Sequence, residues 1–265
     1  MRSVVVTGTR LAIGLPQFRI QKHPPEVTST PLQNLSESKS MNHVIATYCE
    51  RQGPGLLEEP VNTLTNLVFI WASIEAWNLA GRNRIRAWDL TLLIGMAAAV
   101  GVGSGIWHAF ATPWAKPMDL IPILLFQLCF LWIYLRSCGG RSIVTTAVLI
   151  SVYFVLSLIM YKVPPYLNGS ILYAPTFLVL LCIAAYHYAT QSNERYLMAI
   201  GAGLFCIAIM FRSIDSLMCG YVPFGTHFLW HIFNGGLIYV AMRSVILQRS
   251  YSVKIQLTWK GHSNA

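Results

Sequence analysis

Apolar residues in this chain come in runs of about 20, separated by short breaks rich in charge, Pro or Gly. Within each run the hydrophobicity is nearly continuous, the pattern of a helix that is apolar all round. The runs predict seven spans, at about 61–80, 88–110, 119–136, 142–161, 171–189, 196–213 and 227–247. A helix crossing a hydrocarbon layer of about 30 Å needs about 20 residues. The expectation is therefore all-α: an integral membrane, seven-transmembrane helix bundle. One bundle domain is expected over 47–248. Residues 1–46 form a polar tail with Pro24–Pro25 and a Ser-rich end, read as disordered, or as a mis-annotated start if translation begins at Met41. Residues 249–265 read as a second tail.

Composition agrees with that pattern. The chain is 55% hydrophobic and 11% charged, with a mean hydropathy of +0.53. This excludes an ordinary soluble domain and a wholly disordered chain. The formal net charge of +9 is a topology signal and gives no reason to expect a nucleic-acid partner. If seven spans alternate, Arg82, Arg84, Arg86, Arg136, Arg141, Arg195, Arg243, Arg249, Lys254 and Lys260 share one side. Lys116, Lys162 and Arg212 lie on the other. The positive-inside rule then puts the N-terminus outside or in a lumen and the C-terminus, with its tail, in the cytoplasm.

The same alternation gathers the candidate chemistry. Ser104 and His108 close the second span in GSGIWH, Asp119 opens the third, and His227 and His231 open the seventh in THFLWH. Each i,i+4 pair shares a helix face, and all five residues fall in one layer near the non-cytoplasmic face. Ionisable groups within spans are costly and face a partner or a cavity. Three histidines with an open fourth position suit a catalytic zinc. Such a zinc lowers the pKa of bound water to about 7 and yields hydroxide at neutral pH. Asp119 is expected to act as general base and acid, or to orient an imidazole or the water. Ser104 is expected to donate to a developing oxyanion. His187 closes the fifth span at the opposite side and is left out of the site. Arg212 and Asp215 either pair as i,i+3 neighbours or meet a polar headgroup; both readings stay open.

Ahead of the first span, Glu58 and Glu59 with Asn62, Thr63, Thr65 and Asn66 read either as helix capping or as oxygens for a hard cation. Cys129, Cys182 and Cys206 read as packing residues inside spans, and Cys138 as a reduced cytoplasmic thiol. Cys49 and Cys219 both face the side that permits disulfides, which leaves a bridge open.

These residues are similar to the alkaline ceramidase family, within a superfamily of seven-helix membrane hydrolases that includes adiponectin-receptor-like proteins. CER followed by EPVNTLTN, GSGIWHAF with Asp119, and THFLWHIF resemble its motif blocks in order, over about 47–247. The resemblance implies zinc ligation by His108, His227 and His231, with Ser104 and Asp119 assisting hydrolysis of a ceramide amide to a sphingoid base and a fatty acid. It implies a second ion, calcium, at Glu50 and Glu59 with Tyr48 and Gln52, and a Cys49–Cys219 disulfide. The expected partner is a membrane lipid, ceramide or a related N-acyl lipid. Two other functions share this fold and layer: a receptor that binds ligand with little turnover, and a hydrolase of another N-acyl lipid.

Overall fold

A computed structural model describes residues 44–190 and 194–263, with side chains described through Ser252. The expected 1–46 tail lies outside the described residues except for its last three. Every regular element among the described residues is helical. They are α1 (Pro60–Thr65), α2 (Leu67–Arg82), α3 (Trp88–Phe110), α4 (Lys116–Ser137) and α5 (Ile143–Lys162). A 3-10 turn, Ser170–Tyr173, leads into α6 (Ala174–Thr190), followed by α7 (Leu197–Met218) and α8 (His227–Ser263).

Five segments are long and apolar enough to cross a membrane: α3, α4, α5, Ser170–Thr190 and α7. The chain is thus a multi-pass membrane protein. The two outermost expected spans differ from the reading above, for local reasons. The first breaks at Asn66 into α1 and α2. There Thr65 Oγ1 donates to the Val61 carbonyl at 2.8 Å and Asn66 Nδ2 to the Asn62 carbonyl at 2.7 Å. Side chains that bond back to the preceding turn bend helices in this way. The last span carries two histidines, Asn234 and a Gly pair, which dilute its hydropathy. Its helix also continues far past 247, with Arg249 bonded to Asp89 on the way. Residues 249–263, expected to follow the bundle as a tail, continue α8 as helix.

Each helix from α2 onward packs on its chain neighbour, and α8 packs back on α2 to close a ring. The core inside it includes Phe69, Leu93, Phe130, Phe205, Met198 and Met242. The outside carries exposed Trp71, Leu92, Val102, Leu125, Val152 and Leu178, an apolar exterior suited to lipid. α5 sits at the periphery and buries only Thr146 and Tyr153.

Two glycines bring the polar ends of the helices together. A Cβ at Gly103 would lie 1.9 Å from the Met118 carbonyl oxygen. Only Gly therefore lets α3 approach α4 at the level of Ser104 and Asp119. Gly225 turns the chain into α8 with φ +64°, and a Cβ there would strike Asp215 Oδ1. That turn starts α8 two residues later, at His227.

Candidate metal centre

Asp215 organises the start of α8. Its Oδ1 accepts from the backbone N–H of Thr226 (2.6 Å) and His227 (2.9 Å), and its Oδ2 accepts from Cys49 N–H at 3.2 Å. A carboxylate on the free N–H groups of a helix start both satisfies them and complements the dipole. Asp215 is fully buried and fixes His227 in place. His231 follows one turn on. From α3, His108 comes one turn after Ser104, just before the helix closes on Ala111 in the left-handed region (φ 47°).

The three imidazoles converge. Ring centroids are 5.1 Å apart for His108–His227, 4.7 Å for His108–His231 and 4.8 Å for His227–His231. One nitrogen from each lies within 4.8 Å of the others, and all three side chains are buried.

The outer nitrogens decide which atoms are free. His108 Nδ1 lies 2.6 Å from Glu59 Oε2, and Glu59 Oε1 accepts from Arg51 Nε at 2.7 Å. Burial alone would raise the Glu59 carboxyl. The hydrogen bonds and charges of His108 and Arg51 outweigh burial and hold it below the ordinary range. An ionised carboxylate only accepts, so Nδ1 carries the proton and Nε2 keeps its lone pair. His231 Nδ1 lies 2.9 Å from Thr65 Oγ1. The single Thr65 proton already goes to the Val61 carbonyl. Thr65 therefore accepts, and His231 Nε2 is left buried with a lone pair and no partner. His227 leaves Nδ1 buried and unpaired, and its ring stacks on Tyr48 at 3.7 Å. Unpaired imidazole nitrogens sealed inside a protein are costly. Here they face one point, and an all-nitrogen set of three fits zinc.

The segment before α1 straps this layer down. Its Ile45 and Leu57 N–H groups and Arg51 Nη2 take the carbonyls of Ala111, Ala109 and His108 at the end of α3. Cys49 and Cys219 form a disulfide with a Cα–Cα distance of 5.1 Å, tying the strap to the end of α7.

Ser104 is buried in the same layer. Asp119 has a buried Oδ1 with no partner, and its side chain lines a cavity of about 390 Å³ with Tyr48, Lys116 and Arg212. The residues expected to hold calcium are otherwise engaged. Glu50 accepts from Val61 N–H (2.6 Å) and Asn62 N–H (2.8 Å), capping α1, and burial raises its carboxyl despite those bonds. Glu59 serves His108, Tyr48 stacks on His227, and exposed Gln52 donates to its own turn at the Cys49 carbonyl. No group of three acidic side chains gathers there among the described residues, so the calcium expectation gains no support from the geometry. Among the described residues, the three histidines are the group of acidic, Cys or His side chains able to hold a metal. Asp215 does not pair with Arg212, which settles one of the two readings left open above.

Arg51 and Thr65 were not foreseen as partners of the site. A basic residue inside an otherwise acidic block was the available signal for Arg51. Thr65, read as a capping residue, gave none, because its role depends on α8.

An apolar pocket of about 90 Å³ runs below the histidines between Phe69, Phe126, Tyr173, Phe205 and Trp230. A second cavity of about 390 Å³ lies between α4 and α5, lined by Leu120, Leu124, Leu158 and Leu172. Both cavities share Ile123, Gln127, Tyr173 and Thr176.

A family model described as Ceramidase matches residues 48–263. No curated protein gives a match.

Proposed function

The chain belongs to the ceramidase family, and from that premise we propose that it hydrolyses the amide bond of ceramide-type lipids with zinc held by His108, His227 and His231. The products are a sphingoid base and a free fatty acid. The observation that carries this reading is the convergence of three buried imidazoles within 4.8 Å, two of which have Nδ1 committed to Glu59 and Thr65.

Zinc in this layer supplies Lewis acidity that polarises the amide carbonyl and acidifies water. The remaining work belongs to side chains. Asp119, with Oδ1 free of protein donors, takes the proton released by the attacking water and returns it to the leaving amine nitrogen. Ser104, one turn from His108, donates to the oxygen on which charge develops. Glu59 and Thr65 hold two imidazoles in the ligating tautomer, and Tyr48 holds the third by stacking. The apolar pocket beside Trp230 receives lipid chain. The cavity between α4 and loosely packed α5 is the lateral way in from the bilayer. The hydrolytic domain is residues 47–248, with the histidine layer near the non-cytoplasmic face and the C-terminal end of α8 in the cytoplasm.

The test is turnover of a ceramide panel and other N-acyl lipids by purified protein, with and without a zinc chelator. Chelator-sensitive release of fatty acid from ceramide is the expected result. Turnover that survives full removal of metal would overturn the zinc reading, and release only from other N-acyl lipids would overturn the ceramide assignment.

A further inference from the structure

Arg212 is a half-buried guanidinium with no anionic partner within 4.0 Å among the described residues. Its Nε is sealed from solvent and unpaired. Its Nη1 donates to the Tyr48 hydroxyl at 3.0 Å. The rings of Tyr48, Tyr173 and Trp230 surround its Cζ at 5.6, 5.5 and 5.2 Å. Asp215, three residues on, is committed to backbone N–H groups of Thr226, His227 and Cys49. Asp119 faces the same cavity, yet no ion pair within 4.0 Å joins it to Arg212. Gly169, in the left-handed region at φ +77°, lies beside Arg212 Nη2. Aromatic faces hold a cation in place but leave its in-plane N–H donors unsatisfied. A planar fork with free donors is suited to a carboxylate or phosphate. With Lys116 also lining it, the cavity holds two cations against the one carboxylate of Asp119.

We propose that Arg212 is the anion-binding residue of this cavity, taking an oxyanion carried by the lipid. The inference deepens the amidase reading and rests on it only for the source of the anion. Two sources share this chemistry: the carboxylate of the released acyl chain, and an acidic headgroup on the substrate. In either case Arg212 touches the lipid and sets which lipid is held, while Asp119, which lines the same cavity, serves the amine.

Binding separates the proposal from catalysis. Palmitate and hexadecanol are titrated against purified protein in neutral detergent, as are an N-acyl amino-alcohol phosphate and its unphosphorylated parent. The same titrations are run on Arg212→Met and Arg212→Lys, with zinc content measured in each. Wild type should hold at least one acidic lipid about ten- to a hundredfold more tightly than its neutral counterpart. Palmitate preference identifies the product carboxylate, and phosphate preference identifies an acidic headgroup. Arg212→Met should abolish the preference at unchanged zinc content, and Arg212→Lys should restore part of it. No preference in wild type overturns the proposal whether or not the variants fold, as does a full preference retained in Arg212→Met. Ceramide turnover measured alongside can fail or succeed independently of these outcomes.

Discussion

Both ends of the bundle hold polar side chains wholly or partly inside, and they treat them in opposite ways. At the end opposite the histidine layer, Arg249 makes two bonds to Asp89 (2.8 and 2.5 Å) and reaches Ser137. Arg243 is bonded to Glu194, and Tyr134 meets His187 Nδ1 at 3.0 Å. At the histidine end the groups are held just as firmly but left unfinished. Of ten buried side-chain N and O atoms without a partner among the described residues, eight belong to Asn62, Thr63, Asn66, Thr112, Asp119, Arg212, His227 and His231. Thr146 and His187 supply the other two. Buried polar groups are nearly always paired in proteins. The unpaired ones are concentrated at the histidine end, which fits the proposed metal and lipid site there.

The largest expected effect comes from the ligands themselves. His231→Ala or His227→Ala should reduce ceramide hydrolysis to background while the detergent-solubilised protein elutes as wild type does. Residual hydrolysis above background in both variants would erase the contrast between the two ends.

Glu59 comes next, because its carboxylate bonds directly to a ligating imidazole. Glu59→Gln should weaken zinc about ten- to a hundredfold, read by competition with a fluorescent chelator. Glu59→Ala also strands Arg51, whose side chain is 1% exposed, at a cost of about 3–5 kcal/mol in thermal unfolding. The sign of the pH effect follows from a depressed carboxyl. The contribution of Glu59 is complete above its ordinary value of 4.5 and is lost as pH falls below it. Glu59 itself should therefore add no pH dependence to zinc retention between neutral pH and that region, and any loss seen there belongs to protonation of the imidazoles.

Thr65→Val sharpens the comparison, since it removes only the oxygen that accepts from His231 Nδ1. A loss of zinc affinity at the low end of the range for Glu59→Gln is expected, with little change in melting temperature. An unchanged affinity would show that the Thr65 contact does not orient the ring.

Asp89→Asn at the opposite end should have the smallest effect. The pair with Arg249 is partly exposed, 25% for Asp89 and 19% for Arg249, so solvent screening limits the loss to about 1 kcal/mol. Turnover per zinc should not change. A fall in turnover per zinc would mean that the opposite end is coupled to the chemistry.

How far the sequence revealed these arrangements depended on their range. His108, His227 and His231 were legible because the i,i+4 steps and the alternation of spans put them in one layer without tertiary detail. The same alternation placed His187 at the other end, where it bonds Tyr134. The break at Asn66 was not legible, because Thr65 and Asn66 are ordinary residues at a helix start until they bond back to Val61 and Asn62. The length of α8 was hidden by Arg249, whose partner Asp89 is distant in sequence. Arg51 and Glu59 were present in an acidic block that suggested a cation site. Their roles emerged only when that block folded over the end of α3.

The metal content of the purified wild-type protein beside His231→Ala tests the central claim most directly. One zinc per chain in wild type and none in the variant is the expected result. Wild-type protein that hydrolyses ceramide without bound metal, or a variant that keeps its full zinc, would contradict it.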